Sequence, residues 1–145
     1  MIYPVPFHAE HLHGLKLQKA QEWSASKMSV QIQKTLEGPL STTLMQDGYP
    51  LVCVGIIEFA EHRCLLWTFF SDKVTAKNFR EMHRWAKTFL RLLPYNRIEA
   101  TTEVDFEQGN RWLKSLGFER EDKNGMREFG EDGKTHVLYA LIRTD

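Results

Sequence analysis

Two glutamates in the segment RIEATTEV, residues 97–104, have a spacing that could support acid–base chemistry. If this segment is a strand, residues two and four apart lie on the same face, so Glu99 and Glu103 share a face with Thr101. A carboxylate in such a patch can act as a general base, and Glu58, in an earlier β-rich run, is a third candidate. A solvated sheet edge explains the same residues, and both interpretations stay open.

The histidines and cysteines do not form a recognisable site in the sequence. His8, His11 and His13 are spaced so that all three do not share one helical face, and the sequence predicts no metal there. No Cys/His spacing is typical of zinc. Cys53 and Cys64 are expected to be buried thiols in a reducing cytoplasm, with a disulfide between them as the alternative. No Ser-His-Asp arrangement has the spacing of a hydrolase.

Length and charge restrict the classes of function. The chain has 145 residues, which suits one domain, 1–145. It has 19 Lys and Arg and 19 Asp and Glu, so no overall field attracts nucleic acid or an anionic membrane, and one barrier to a homodimer is removed. The longest apolar run, LVCVGII, is too short to span a bilayer, and the first residues lack the pattern of a secretory signal. The sequence therefore predicts a cytoplasmic protein.

The elements that position these residues follow from the periodicity of the apolar side chains. Helical spacing predicts four helices, at residues 9–28, 30–36, 75–93 and 106–116. β-rich runs predict seven strands, at residues 2–7, 40–45, 51–59, 64–70, 97–104, 118–122 and 135–144. The first strand contains two prolines and is therefore expected at an edge of the sheet.

The connections between these elements predict the fold class. Asp47-Gly48 is a hairpin signal, and the three consecutive strands around it should form an antiparallel meander. The next strand, long helix and strand should form a right-handed crossover. The order β-α-α-β-β-β-α-β-α-β-β predicts an α/β (α+β) protein, with a mixed central sheet and helices on both faces.

This order of elements, ending in a short helix and Leu-Gly-Phe-Glu, resembles the GCN5-related N-acetyltransferase (GNAT) family. The resemblance covers nearly the whole chain in element order, and SDKVTAKNF and GNRWLKSLGFE carry it in sequence. Within that superfamily the chain is similar to small phage and prophage proteins with a GNAT-like fold, a group that includes an internal virion protein of short-tailed phages. FFSDKV, RIEATT and NRWLKSLGF carry this second resemblance.

The resemblance implies an acyl-CoA site at the start of the long helix. In the family, backbone N–H groups of the strand–helix loop and the positive helix end hold the diphosphate, and the pantetheine arm pairs with the backbone of the preceding strand. By position, these are residues 71–79 and 67–70 here. The residues implied to bind acetyl-CoA or another acyl-CoA are Trp67, Phe69, Phe70, Lys73, Thr75, Ala76, Lys77, Asn78 and Phe79.

The loop departs from the family pattern. The family has two glycines in a stretch that here reads Thr-Ala-Lys-Asn, residues 75–78, so close approach of a phosphate to bare backbone is less assured. Lys73 and Lys77 could supply charge instead. Thr75 could also cap the helix and compete for the same amides, which is the structural alternative.

The catalytic positions of the family also differ. Leu113 occupies the position that often holds a tyrosine to protonate the leaving thiolate, and the family's asparagine falls on Phe106. The base that acetyl transfer needs would come from Glu58, Glu99 or Glu103.

Three functions follow from the resemblance. The first is an acyl-CoA-dependent N-acetyltransferase that acts on an unknown amine acceptor. The alternative is a non-catalytic GNAT-like phage protein with a phage or host protein partner, acting in virion assembly or host takeover, in the bacterial cytoplasm or in the virion. A bacterial module that senses a ligand is the third. No nucleic-acid or membrane partner is expected.

Overall fold

The computed structural model describes residues 1–15, 30–130 and 132–143, and this part of the chain forms four helices and seven strands. The helices are α1 (Glu10–Gly14), α2 (Val30–Thr35), α3 (Ala76–Leu92) and α4 (Glu107–Ser115). The strands are β1 (Tyr3–Pro6), β2 (Thr42–Gln46), β3 (Tyr49–Ala60), β4 (Arg63–Phe70), β5 (Arg97–Glu103), β6 (Glu119–Arg120) and β7 (His136–Ile142). The predicted order of elements is confirmed.

Two element boundaries differ from the prediction. The prediction of one continuous helix over residues 9–28 is wrong at Leu15: α1 ends at Gly14, because Leu15 has an extended backbone (φ −92°, ψ 120°). Residues 16–28 of that prediction lie outside the described residues. The strand predicted over residues 118–122 is the two-residue β6. Among the helices that the structure describes, none has both the length and the apolar character needed to span a membrane.

The strands form a mixed sheet in the order β1-β2-β3-β4-β5-β7-β6. β1, β2 and β3 are antiparallel neighbours, and so are β5, β7 and β6. β4 and β5 are parallel, and the described ladder between them runs over three pairs, from Arg63↔Arg97 to Leu65↔Glu99. Because β1 is an edge strand, its two prolines do not interrupt a central ladder. The predicted fold class is confirmed.

The hairpin between β2 and β3 has the turn that Asp47-Gly48 predicts. Asp47 has φ 51° and Gly48 has φ 82°, and two positive φ angles in a two-residue loop are typical of a type I′ turn. Two pairs before the turn the register passes from Leu44↔Val52 to Met45↔Pro50, so β3 contains an extra residue, Leu51, opposite β2. Such a β-bulge re-aims the backbone and side chains at the end of the hairpin.

The chain forms two compact units, each built from two stretches of sequence. The first unit comprises Met1–Ile57 and Trp67–Arg84. The hydrophobic cluster of this unit consists of buried residues that lie in, or directly after, β1, α1, β3 and β4. Two partly buried residues pack against it. The members are Phe7, Leu12, Leu15, Cys53 and Phe69, and the two partly buried residues are Leu36 and Trp67. Cys53 is a free, buried thiol, as predicted, and burial raises its pKa to about 12.

The second unit comprises Glu58–Leu66 and Trp85–Asp145. Its short helix α4 ends in a Schellman motif, in which the Phe118 N–H donates to the Leu113 carbonyl (3.0 Å) and the Gly117 N–H donates to the Lys114 carbonyl (3.0 Å). Gly117 has φ 99°, a conformation that favours glycine. The glycine after the short helix is therefore a helix stop, and Leu113 and Phe118 beside it are buried.

Candidate functional site

Residues 71–79 of the first unit, called here the helix-start segment, connect β4 to the first turn of α3. Thr75 and Asn78 form a reciprocal capping box there: the Asn78 N–H donates to Thr75 Oγ1 (3.2 Å), and the Thr75 N–H donates to Asn78 Oδ1 (3.1 Å). The Thr75 hydroxyl also donates to Asn78 Oδ1 (2.8 Å). Thr75 is therefore the helix cap that the structural alternative predicts, and it uses the Asn78 amide.

The capping box leaves other amides of the first turn available. The first regular helical bond runs from the Phe79 N–H to the Thr75 carbonyl (2.9 Å). The N–H groups of Ala76 and Lys77 precede this bond and have no acceptor among the described residues, as is usual in the first turn of a helix. These two N–H groups lie at the positive end of the 17-residue helix α3. They can still bind an anion.

Two lysines of the helix-start segment carry positive charge. Lys73 Nζ lies 5.5 Å from the centroid of the Tyr49 ring, at the tip of the β2–β3 hairpin. Lys77 is exposed and lines a groove of about 630 Å³ along α3. The other residues of the groove are Phe79, Arg80, Glu81, His83 and Arg84. In the described part of the chain, neither Lys73 nor Lys77 has a carboxylate within salt-bridge distance.

The aromatic residues of β4 are mainly structural. Phe69 and Phe70 are buried. The Trp67 ring packs edge-on against Phe7, with centroids 5.2 Å apart, and a Cβ on Gly55 would lie 2.5 Å from the indole. Because these side chains are used in packing, a contact of residues 67–70 with a cofactor would involve the backbone.

In the second unit, Glu99 is held by two arginines. The Arg63 guanidinium donates to both Glu99 oxygens, one of these bonds being 3.1 Å long, and Arg97 Nε donates to Glu99 Oε2 (2.9 Å). Arg97 also donates to Glu121 (3.1 Å). Hydrogen bonds from Arg63, and to a smaller extent from Arg97, hold the pKa of the buried Glu99 carboxyl below its usual range. A carboxylate stabilised in this way is a weak proton acceptor.

The other two candidate carboxylates are less strongly held. Glu103 lies directly opposite His136 in the β5–β7 ladder, and Lys134 Nζ is 3.5 Å from its Oε1. Glu58 is exposed and accepts a hydrogen bond from the Tyr95 hydroxyl (2.7 Å), an interaction that raises the pKa of Tyr95 to about 12. Glu99 and Glu103 occupy alternate positions of β5, which places them on one face as predicted.

Two polar groups beside β5 were not predicted from the sequence. Burial lowers the pKa of His136, and its Nδ1 is buried with no hydrogen-bond partner among the described residues. The buried Tyr139 hydroxyl donates to Asn110 Oδ1 (2.7 Å), and burial raises the pKa of Tyr139. Because these contacts depend on strand register and on side chains distant in sequence, no local motif could have indicated them.

The comparison with solved structures gives the fold. The chain resembles Ard1 from Thermoplasma volcanium with a TM-score of 0.74 and 13% identity, over 99% of both chains. It resembles the ribosomal-protein-S18-alanine N-acetyltransferase from Escherichia coli with a TM-score of 0.74 and 15% identity, over 100% of this chain and 96% of that chain. For a GNAT-family acetyltransferase from Bacillus anthracis the TM-score is 0.68 and the identity 12%, over 97% and 94% of the two chains.

Sequence comparison adds no closer relationship. No protein-family model matches the chain, and no curated protein matches it in sequence. At identities of 12–15% the structural likeness shows the fold alone, so the chain has the fold of GNAT-family acetyltransferases. The predicted phage origin and virion role stay predictions.

Proposed function

We propose that this protein is an acyl-CoA-dependent N-acetyltransferase that transfers an acetyl group to an amine. One observation of its own structure carries the proposal: the first turn of α3 keeps the Ala76 and Lys77 amides available, next to two lysines without carboxylate partners. Amides at a helix N-terminus together with ammonium groups form an environment suited to a diphosphate. The fold shared with GNAT-family acetyltransferases supports the same cofactor.

In this proposal the helix-start segment binds the diphosphate of acetyl-CoA. The Ala76 and Lys77 N–H groups donate to its oxygens, and the Lys73 and Lys77 side chains balance its charge. The pantetheine arm follows the backbone of residues 67–70. Since Trp67, Phe69 and Phe70 of this stretch are packed in the first unit, their side chains do not themselves bind the cofactor.

The reaction itself requires a neutral amine. Its nitrogen attacks the thioester carbonyl carbon, the new C–N bond forms, the C–S bond breaks, and CoA leaves as a thiolate that takes up a proton. A carboxylate can accept the proton that the amine loses, directly or through water. Of the three candidates we assign this role to Glu103, because Glu99 is neutralised by two guanidinium groups and Glu58 is exposed and bound to Tyr95.

The leaving thiolate needs no dedicated acid in this scheme. Leu113, at the family's tyrosine position, is a buried apolar residue of the second unit. The two buried tyrosine hydroxyls of that unit, Tyr95 and Tyr139, are engaged with Glu58 and Asn110. Water therefore protonates the thiolate, whose own basicity makes this step easy near neutral pH.

Calorimetric titration with CoA, paired with an assay of acetyl transfer to a panel of amines and N-terminal peptides, tests the proposal. We expect binding of CoA, an increase in Tm with acetyl-CoA at millimolar concentration, and turnover of at least one amine. The absence of both heat and Tm shift would exclude the cofactor and with it the enzyme.

A non-catalytic function is the second candidate. The observation that favours it is the combination of a buried Leu113 and a Glu99 that is bound to two arginines, since both remove groups that could act on protons. In that case the protein acts by binding a phage or host protein. Affinity capture from infected bacterial cells should then recover one specific partner, and CoA should bind without turnover of any amine.

A further inference from the structure

The tip of the β2–β3 hairpin contacts the helix-start segment at both of its ends, within the first unit. At one end the Ser71 N–H donates to the Leu51 carbonyl (2.7 Å). At the other end Asn78 Nδ2 donates to Gln46 Oε1 (2.7 Å). The second contact joins residues that are 32 positions apart in sequence, so it is tertiary and does not belong to the helix.

Both contacts come from hairpin residues that lie at the β-bulge or directly beside the tight turn. Leu51 is the extra residue of β3 opposite β2, and its carbonyl is the group that accepts from Ser71. Gln46 is the last residue of β2 and lies immediately before the turn. The bulge and the tight turn therefore fix the two acceptors relative to each other.

Asn78 is the helix residue whose side chain binds the hairpin. Its side-chain oxygen is engaged by Thr75, its side-chain nitrogen by Gln46, and the residue is 6% exposed. A buried asparagine with both ends bound has one orientation, because any rotation would leave polar atoms unpaired. The capping box is thus also held from outside the helix, by Gln46.

We propose that Gln46 is a positioning residue for the cofactor: through Asn78 it orients the first-turn amides of α3 and so takes over the task of the two glycines that this loop lacks. The inference rests on the proposed function. In a glycine loop the backbone itself adopts the shape that receives a diphosphate. Here the loop has ordinary residues, and the hairpin holds it in the receptive shape instead.

Gln46→Met tests this inference, since methionine has about the same length and cannot accept the Asn78 hydrogen bond. Tyr49→Phe, at the exposed hairpin tip, is the matched control because it keeps the ring beside Lys73. The expected result is a three- to tenfold rise in the Kd of CoA and in the KM of acetyl-CoA for Gln46→Met, roughly what loss of one hydrogen bond produces. The KM of the amine acceptor and the values for Tyr49→Phe should stay unchanged.

Amide hydrogen exchange without any ligand gives a second readout. In Gln46→Met the Asn78 and Phe79 amides, which report the capping box and the first helical bond, should exchange faster, whereas amides of β5 keep their rates. Unchanged exchange rates would show that Gln46 does not stabilise the capping box, whatever the Kd of CoA. Faster exchange with an unchanged CoA Kd would overturn the positioning role. If wild-type protein binds no CoA, both the proposed function and the positioning role of Gln46 are wrong. The exchange rates would still show whether Gln46 stabilises the capping box.

Discussion

The start of α3 and one face of β5 both carry charged residues, but they differ in how these charges are compensated. On β5, Glu99 is bound by Arg63 and Arg97, so the charges of this cluster neutralise one another. At the start of α3, Lys73 and Lys77 have no carboxylate partner among the described residues, and two amides beside them have no acceptor. Compensated charges stabilise a fold, whereas uncompensated donors at a helix end are suited to a ligand.

The largest expected effect is a loss of kcat on substitution of Glu103, which lies outside the cluster of Glu99 with its two arginines. Glu103→Gln should lower kcat for acetyl transfer by about 100-fold, because an amide cannot accept the proton of the amine. The structure should be unaffected, since Glu103 has a single lysine contact at 3.5 Å. Steady-state kinetics measure this, with Glu58→Gln as the comparison. A loss of kcat in Glu58→Gln with a normal kcat in Glu103→Gln would remove Glu103 from the reaction, and equal losses in both variants would contradict its assignment as the single base.

Glu99→Gln should act on stability. Removal of the charge leaves Arg63 and Arg97 without their shared partner, at a cost of about 2 kcal/mol in the free energy of unfolding, below the range for fully buried pairs because both arginines are partly exposed. Urea denaturation measures it, and Glu119→Gln, an exposed residue of β6, is the control. A normal free energy of unfolding together with a lost kcat would show that Glu99, and not Glu103, is the base.

The same cluster predicts a direction for the pH dependence of stability. Because the folded pKa of Glu99 lies below its ordinary value of 4.5, its contribution is complete above that value and is lost as the pH falls through the folded pKa. Wild-type protein should therefore lose stability between neutral and acidic pH more steeply than Glu99→Gln. Denaturation curves at several pH values that run parallel for the two proteins would contradict this.

Charge removal at the start of α3 should act on ligand binding and leave stability unchanged. The double variant Lys73→Met/Lys77→Met should raise the Kd of CoA roughly tenfold and weaken the salt dependence of binding, as expected for two lost ion contacts with phosphate. Lys87→Met, an exposed lysine further along the same helix, is the control. An equal loss in Lys87→Met would show that only the general charge of the helix matters.

The smallest effect concerns the helix cap. Thr75→Ala removes the hydroxyl of the capping box and should cost about 1 kcal/mol in the free energy of unfolding, whereas Thr75→Ser should retain it. Thermal or urea denaturation distinguishes the two variants. If Thr75→Ala and Thr75→Ser have the same stability, the capping box does not hold the start of α3.

The sequence predicts the fold far better than the site. Apolar periodicity, Asp47-Gly48 and Gly117 act locally, and they predict the order of elements, the hairpin and the helix stop that the structure has. One partner of Glu99, Arg63, and one partner of Asn78, Gln46, come from other strands, at separations of 36 and 32 residues. Such contacts depend on register and on a β-bulge, neither of which has a signature in the local sequence.

The central claim is that the first-turn amides of α3 receive the phosphates of CoA. Titration of ¹⁵N-labelled protein with CoA tests it most directly. The Ala76 and Lys77 amide resonances should shift most and saturate with the same Kd as calorimetry, while the amides around Glu99 should move little. If CoA binds and these two resonances stay in place, the cofactor lies elsewhere and the account of this site is wrong.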